Sequence, residues 1–421
     1  MAVGVILASI TTQIKYNLED TIMIGELALD GTLRPVNGVL SIVLFAKENG
    51  IKKIIIPLDN AQEASIIEGV EILPALNLKQ VVGFILNENE IEPYTKKLSQ
   101  NQEENFNLDM SQVKGQHFAK RALEIAASGG HNILLSGPPG SGKTLLARTL
   151  PTILPSLTES ETLEITKIYS VAGLLHGDLI QKRPFRSPHH TISNIALVGG
   201  GGYPRPGEIS LAHRGVLFLD EFPEFNRNVL EALRQPLEDG IISVARAKAT
   251  VHFPARFILV ASQNPCPCGY ASDPDQLCNC SASILLKYQK KISGPILDRI
   301  DLHVEVPRLK FEKLSSDENG EISAEIRKRV EQARKIQLDR FVNTKIITNA
   351  EMGNGEIKKY CQLNSESINL LSGAVDKMHL SARAYNRILK IARTIADLSQ
   401  EKNISVSHLA EALQFRVKHN N

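Results

Sequence analysis

The stretch GPPGSGKT at residues 137–144 constrains this chain more than any other. It is entered by an apolar run, NILLS (132–136), and left through a helix-forming one, LLARTL (145–150). A glycine-rich loop between a buried strand and a helix N-terminus turns backbone N–H groups inward around phosphate. Gly137, Pro138, Pro139, Gly140, Ser141 and Gly142 would form that cradle. Lys143 supplies a point charge to the β- and γ-phosphates, and Thr144 supplies a hydroxyl for Mg²⁺. Such a strand is buried on both faces, so a parallel α/β sheet domain is expected, with ATP and Mg²⁺ as its ligands.

Two more strings have the form of strand ends at a nucleotide site. In GVLFLDE (215–221) four apolar residues place a buried strand, and Asp220 and Glu221 emerge at its carboxyl end. Asp220 is the expected Mg²⁺ holder, through water, and Glu221 the residue that orients and activates the attacking water. RFILVASQNP (256–265) ends another strand at Asn264, where an amide can reach the γ-phosphate or that water; a turn-capping asparagine is the plainer reading. SGPILDRIDLHVEVP (293–307) carries Arg299 between two aspartates. Arg299 is poorly placed for its own chain's phosphates but suits those of a neighbouring subunit, where such a finger contributes ~10³–10⁵ in rate. A local Arg–Asp ion pair is the alternative.

Three blocks are expected around these strings. Residues 1–98 alternate short apolar runs with helix-like stretches, as α+β domains do, and 99–110 read as a polar linker. Residues 111–308 carry the buried strands, and 309–421 are nearly all helical, with amphipathic stretches such as SAEIRKRVEQARKIQLDRF (323–341). A net charge of +2 gives no whole-chain case for nucleic acid, so any such case rests on local basic loops. The apolar runs are too short to cross a bilayer, and MAVGVILASI at the start lacks a basic n-region or cleavage site. A cytoplasmic, reducing setting is therefore expected, with no membrane partner.

In that setting the cluster in NPCPCGYASDPDQLCNC (264–280) points to metal before disulfide. Cys266, Cys268, Cys278 and Cys280 form a C-x-C…C-x-C pair, permissive for structural Zn²⁺ although C-x₂-C is the commoner spacing. Reduced thiols in small turns, or a redox switch, are the other readings.

These strings together resemble the magnesium-chelatase-like branch of AAA+ ATPases, most closely the YifB/ComM family. The carrying stretches are GHNILLSGPPGSGKTLLARTLPTILP, FRSPHHTISNIALVGGGGYPRPGEISLAHRGVLFLDEFPEF, NPCPCGY and SGPILDRIDLHVEVP. The resemblance implies an αβα ATPase core with a helical lid, assembled as a homo-hexameric ring with nucleotide between subunits. It makes Arg299 the finger and matches Arg383, in LSARAYNRILKIARTIADL (380–398), to the lid arginine; Arg387 shares that helix face as the fallback. It also implies a hairpin before the Asn264 strand, in GIISVARAKATVHFPARF (240–257), whose Arg246 and Lys248 would contact DNA phosphates in a ring pore or simply face solvent. RSPHHTIS (186–193) is a second insert, whose His189 and His190 lack obvious metal-ligand partners and suit a DNA-facing or packed loop.

The first block resembles the ribosomal-S5-like domain shared with the Lon protease domain, through GELALDGTLRPVNGVLSIVLFAKENGIKKIIIP. Where proteolytic members carry a dyad lysine this chain has VLSIVL. Leu40 and Ile42 cannot act as a base, so no peptidase activity is expected. MAVGVILAS resembles the middle of that domain, so a partial domain is expected. The implied function is an ATP-driven ring motor on single-stranded or branched DNA, serving branch migration during recombination of incoming DNA. A chelatase-type subunit remodelling a partner protein is the alternative, disfavoured by the S5-like block. Intact Lys143, Asp220, Glu221 and Arg299 oppose an inert scaffold.

Overall fold

The computed structural model describes residues 1–9, 16–95, 107–175, 179–202, 204–245, 250–271, 273, 275–309 and 320–416. They form two compact units, one of residues 1–103 and 157–181, the other of 104–156 and 182–421.

The first unit holds a three-stranded parallel sheet of β1 (Thr21–Met23), β2 (Lys53–Pro57) and β3 (Glu71–Ala75), with β2 central. The KIIIP strand is nearly continuous apolar sequence because it is buried from both sides. Leu40 is fully buried in this core from the helix Val39–Glu48. The sequence pattern assigns 157–181 to the ATPase block, yet this segment belongs to the first unit. Its helix, Glu159–Ala172, starts at a Thr158/Glu161 capping box. Its Ser170 hydroxyl donates to the buried Glu63 carboxylate at 2.5 Å, and the Leu40 N–H donates to the same oxygen at 3.1 Å. A buried carboxylate needs such donors, and the one it takes from Ser170 lies more than a hundred residues away in sequence.

The second unit is built on a five-stranded, all-parallel sheet. Its strands are β4 (Ile133–Ser136), β5 (Phe185–Arg186), β6 (Val216–Leu219), β9 (Ile258–Gln263) and β10 (Leu302–Glu305), in the order β10-β4-β9-β6-β5. Between β6 and β9 the chain makes the expected hairpin, β7 (Ile241–Ala245) against β8 (Thr250–Pro254), with Ala245 opposite Thr250. Its tip, with Arg246 and Lys248, lies outside the described residues.

The carboxyl-terminal helices do not form a core of their own. The helix Ala382–Leu398 sets Ile388, Ile391, Ala392 and Ile395 into one cluster with Leu123, Ile133, Val260 and Leu302. Nor is the end of the linker free. Met110 is fully buried, its N–H donating to Ser323 Oγ at 2.7 Å, and the Asp109 carboxylate accepts from the Ser323 N–H at 3.1 Å. This is the cap that the helix Ser323–Arg340 lacks locally.

Candidate active site

All five strands run the same way, so the residues that follow them gather on one edge of the sheet. Strand order brings them to neighbouring points. Strand β9, ending before Asn264, lies between β4, which feeds the glycine-rich loop, and β6, which ends before Asp220. Three strings well separated in sequence thus become one constellation.

Gly142 takes φ of +91° as it enters the helix Lys143–Ile153, a conformation costly for any other residue at that cap. The turn aims Lys143 back along the loop. Its Nζ donates to the Gly137 and Pro138 carbonyls, at 2.7 and 2.9 Å, and to Asn264 Oδ1 at 3.2 Å. Burial pulls the Lys143 ammonium below its ordinary value, and the nearby Asp220 carboxylate partly offsets that. The Thr144 hydroxyl donates to Asp220 Oδ2 at 2.9 Å. On the far side Ser262 Oγ donates to Asp220 Oδ1.

The residues present fit a magnesium nucleotide. Ser141 Oγ, inside the loop, is buried without a hydrogen-bond partner, and the Lys143 ammonium is turned onto carbonyls that are poor substitutes for anionic oxygen. Thr144 and Asp220 offer the hard oxygen donors that Mg²⁺ requires.

Glu221 has φ of +53°, uncommon for a residue with a side chain. Its N–H is held by Asp220 Oδ1 at 3.1 Å and by Ser262 Oγ at 3.3 Å. The carboxylate is more than half exposed and lies 3.4 Å from His190 Nδ1. In sequence His190 reads only as part of a packed or DNA-facing insert, with no sign of this neighbour. The contact joins the loop after β5 to the loop after β6, and only strand adjacency reveals it.

The arginines are held by contacts within their own chain. Arg299 is 8% exposed. It donates to the Pro295 carbonyl at 2.7 Å and to Glu238 of its own chain, while its Nε has no partner. Neither flanking aspartate takes it. Asp301 is instead reached by Arg387 at 2.7 Å and lies 3.5 Å from His131. Burial alone would raise the Asp301 carboxyl, but the Arg387 guanidinium and His131 outweigh it and hold it well below the usual carboxylate range. Arg387, the fallback lid arginine, is thus committed to a nearly buried ion pair. Arg383 is exposed and reaches Glu238 Oε1 at 3.4 Å, so one carboxylate faces both Arg299 and Arg383.

The four cysteines converge. Their Sγ atoms all lie within 4.8 Å of one another, with Cys266 fully buried, and none is in a disulfide. The Tyr270 backbone N–H and the Cys266 thiol hold the Cys268 thiol down at about 6. Cys280 is pushed up to about 12: the Cys268 backbone N–H favours its thiolate, but the neighbouring thiols and desolvation outweigh that. The Cys268 thiolate forms readily while Cys278 and Cys280 resist, as crowded like charges must unless a cation joins them. Gly269, in the turn closed by its N–H to the Cys266 carbonyl, lies against the phosphate loop; a Cβ there would stand 2.5 Å from Pro139 Cδ.

No helix among the described residues is long and apolar enough to cross a membrane.

Residues 109–314 match the family described as magnesium chelatase, subunit ChlI; residues 320–416 match its C-terminal family, and residues 1–60 match subunit ChlI of Mg-chelatase. With the parallel sheet and its glycine-rich loop, these matches define a magnesium-chelatase-type AAA+ protein, a class whose members imply ATP and Mg²⁺. The chain is 45% identical to competence protein ComM of Haemophilus influenzae, over 99% of this chain and 81% of that protein. It is 43% identical to YifB of Escherichia coli over the same shares of each. It therefore belongs to the ComM/YifB family. A stretch of 74 residues, 17% of this chain and 13% of the other, is 36% identical to Lon protease 2 of Bacillus subtilis.

Proposed function

We propose that this chain hydrolyses ATP as a homo-hexameric ring and uses the energy to move along single-stranded or branched DNA. The observation that carries the ATPase half is the meeting of Lys143, Thr144, Asp220 and Asn264 on adjacent strand ends. Bound Mg²⁺, held by Thr144 and Asp220, would supply neutralisation of phosphate charge. Glu221 takes a proton from the attacking water as its oxygen bonds to the γ-phosphorus and the bond to the ADP oxygen breaks. Lys143 and Asn264 sit beside each other, and with nucleotide bound both would face the charge that develops on the transferred group. Arg299 would complete a neighbouring subunit's site, once released from Glu238.

The DNA half is supported by kinship with a competence protein and by the β7–β8 hairpin, whose connecting sequence carries Arg246 and Lys248. In this reading the motor widens heteroduplex by branch migration when incoming DNA recombines during natural transformation. The four cysteines would hold a structural Zn²⁺: four soft ligands already converge, and the backbone donors favour thiolate.

ATPase rate with and without single-stranded or forked DNA tests this. Stimulation by DNA, and retention on DNA in ATPγS, is expected. No stimulation together with no retention sinks the motor. Stimulation by a partner protein alone would favour the chelatase-type subunit, which the family descriptions also name.

A further inference from the structure

We propose that His190 is the positioning residue for Glu221. The inference rests on Glu221 being the base. A half-exposed carboxylate on a strained backbone has many rotamers and few of them face a γ-phosphate. Something must fix it, and neither its own strand end nor β9 does, because Asp220 and Ser262 hold only its backbone N–H.

His190 is itself well fixed. Its ring lies against His189, with centroids 4.1 Å apart, and edge-on to Phe225 at 6.4 Å. His189 is held in turn through Nδ1 and the Thr191 hydroxyl, 3.0 Å apart. A cavity of about 550 Å³ opens beside the ring, lined by polar groups that include Ser193, Asn226 and Asn228, so water has access to the His190 ring, and the Glu221 carboxylate is itself more than half exposed. With its proton on Nδ1, the imidazole donates to Glu221 Oε2 and leaves Oε1 free to accept from the attacking water. At 3.4 Å the contact is long for a hydrogen bond, as catalytic contacts often are before substrate closes the site. No proton moves to or from His190 in this role; the proton taken from water stays on Glu221 until product leaves.

The test compares His190→Ala, His190→Asn and Glu221→Gln with the wild type under saturating DNA, with thermal midpoints as the folding control. Asparagine places an amide N–H near the position of Nδ1. H190A is expected to lose about tenfold in kcat, a part of the 10²–10⁴ that a general base contributes, with KM for ATP unchanged. H190N is expected to recover much of that loss, and E221Q is expected to be inactive with ATP binding intact. If E221Q is inactive but H190A keeps wild-type kcat, or loses only KM, the inference about His190 is overturned and the base assignment stands. If E221Q turns over ATP normally, Glu221 is not the base and both fall. If H190N is as slow as H190A while both fold like wild type, the donor is not what matters and the proposal is overturned.

Discussion

Arg299 and Glu238 are paired within a single chain, the guanidinium nearly buried and the carboxylate about half exposed. An arginine held in this way cannot touch a neighbouring subunit's phosphates without leaving its partner. Glu238→Gln removes the charge that holds the arginine while keeping the side chain's size, so it should free the guanidinium. The expected result is a ring that forms more readily, with ATPase reaching half its maximal specific activity at several-fold lower protein concentration. A dilution series of ADP release measures this. An unchanged or right-shifted curve would show that the pair does not compete with assembly.

Arg299 in trans makes a separate prediction about mixtures. Arg299→Ala subunits keep an intact phosphate loop but offer no finger, while Lys143→Ala subunits offer a finger beside a disabled loop. In an equal mixture of head-to-tail neighbours, roughly a quarter of interfaces regain both parts. Each variant alone should be nearly inactive and the mixture should recover a measurable fraction of wild-type turnover. Recovery no greater than the sum of the separate variants would place the arginine's role inside its own chain.

Asn264 shares the Lys143 ammonium with two backbone carbonyls, and this predicts how its loss divides between binding and turnover. Asn264→Ala leaves Lys143 both carbonyls, so nucleotide affinity should hold within about threefold, while turnover falls by about 10–10²-fold with the loss of one aligned polar group. Fluorescent-nucleotide titration and steady-state rates separate the two. A large loss of affinity with normal turnover would make Asn264 a binding residue only.

The parts of the site written as contiguous strings are legible in the amino-acid sequence alone. The phosphate loop and the LDE strand end each declare themselves through local pattern, because the backbone conformation they need is set by the residues that carry them, whereas the β7–β8 hairpin is expected from the family resemblance. Glu238 is not legible in that way. It lies in an ordinary helical stretch, and its meaning comes from Arg299 and Arg383, 61 and 145 residues further on. His190 is visible as an oddity, but its relation to Glu221 depends on β5 lying next to β6. Segment 157–181 misleads for the same reason: its capping box predicts a helix and says nothing about which core receives it. Asp301 and Arg387 show the reverse. Each stands near a candidate arginine site in sequence, and in the fold they satisfy each other.

The packing of Gly269 on Pro139 links the cysteine cluster to nucleotide binding. Purified protein should contain about one zinc per chain by emission spectroscopy, as four thiolates close one tetrahedral site. Removing the metal with a chelator under reducing conditions should loosen the Cys266–Gly269 turn and weaken ATP binding several-fold. Zinc, and not magnesium, should restore it. Stoichiometric absence of zinc would leave the cysteines as reduced thiols; zinc present but without effect on affinity would make the site a brace independent of the phosphate loop.

His303, in strand β10, predicts how stability responds to acid. Burial lowers its imidazole to about 4 from the usual 6.5, and the Arg416 guanidinium adds to the effect, while the Ile300 backbone and Asp301 oppose it. The folded value lies below the unfolded one, so as pH falls the unfolded chain takes up the proton first. The stability tied to neutral His303 is therefore whole above pH 6.5 and lost progressively towards pH 4, on the order of 3 kcal/mol in total. Asp301, whose carboxyl is also lowered, acts only below the ordinary carboxylate range and leaves this window clear. Urea midpoints at pH 7.5, 6 and 5 should fall steadily for the wild type. In His303→Gln, which cannot titrate, the midpoint should start lower and fall less over the same interval. Parallel slopes in the two proteins would mean that His303 is not the group that couples folding of this strand to pH.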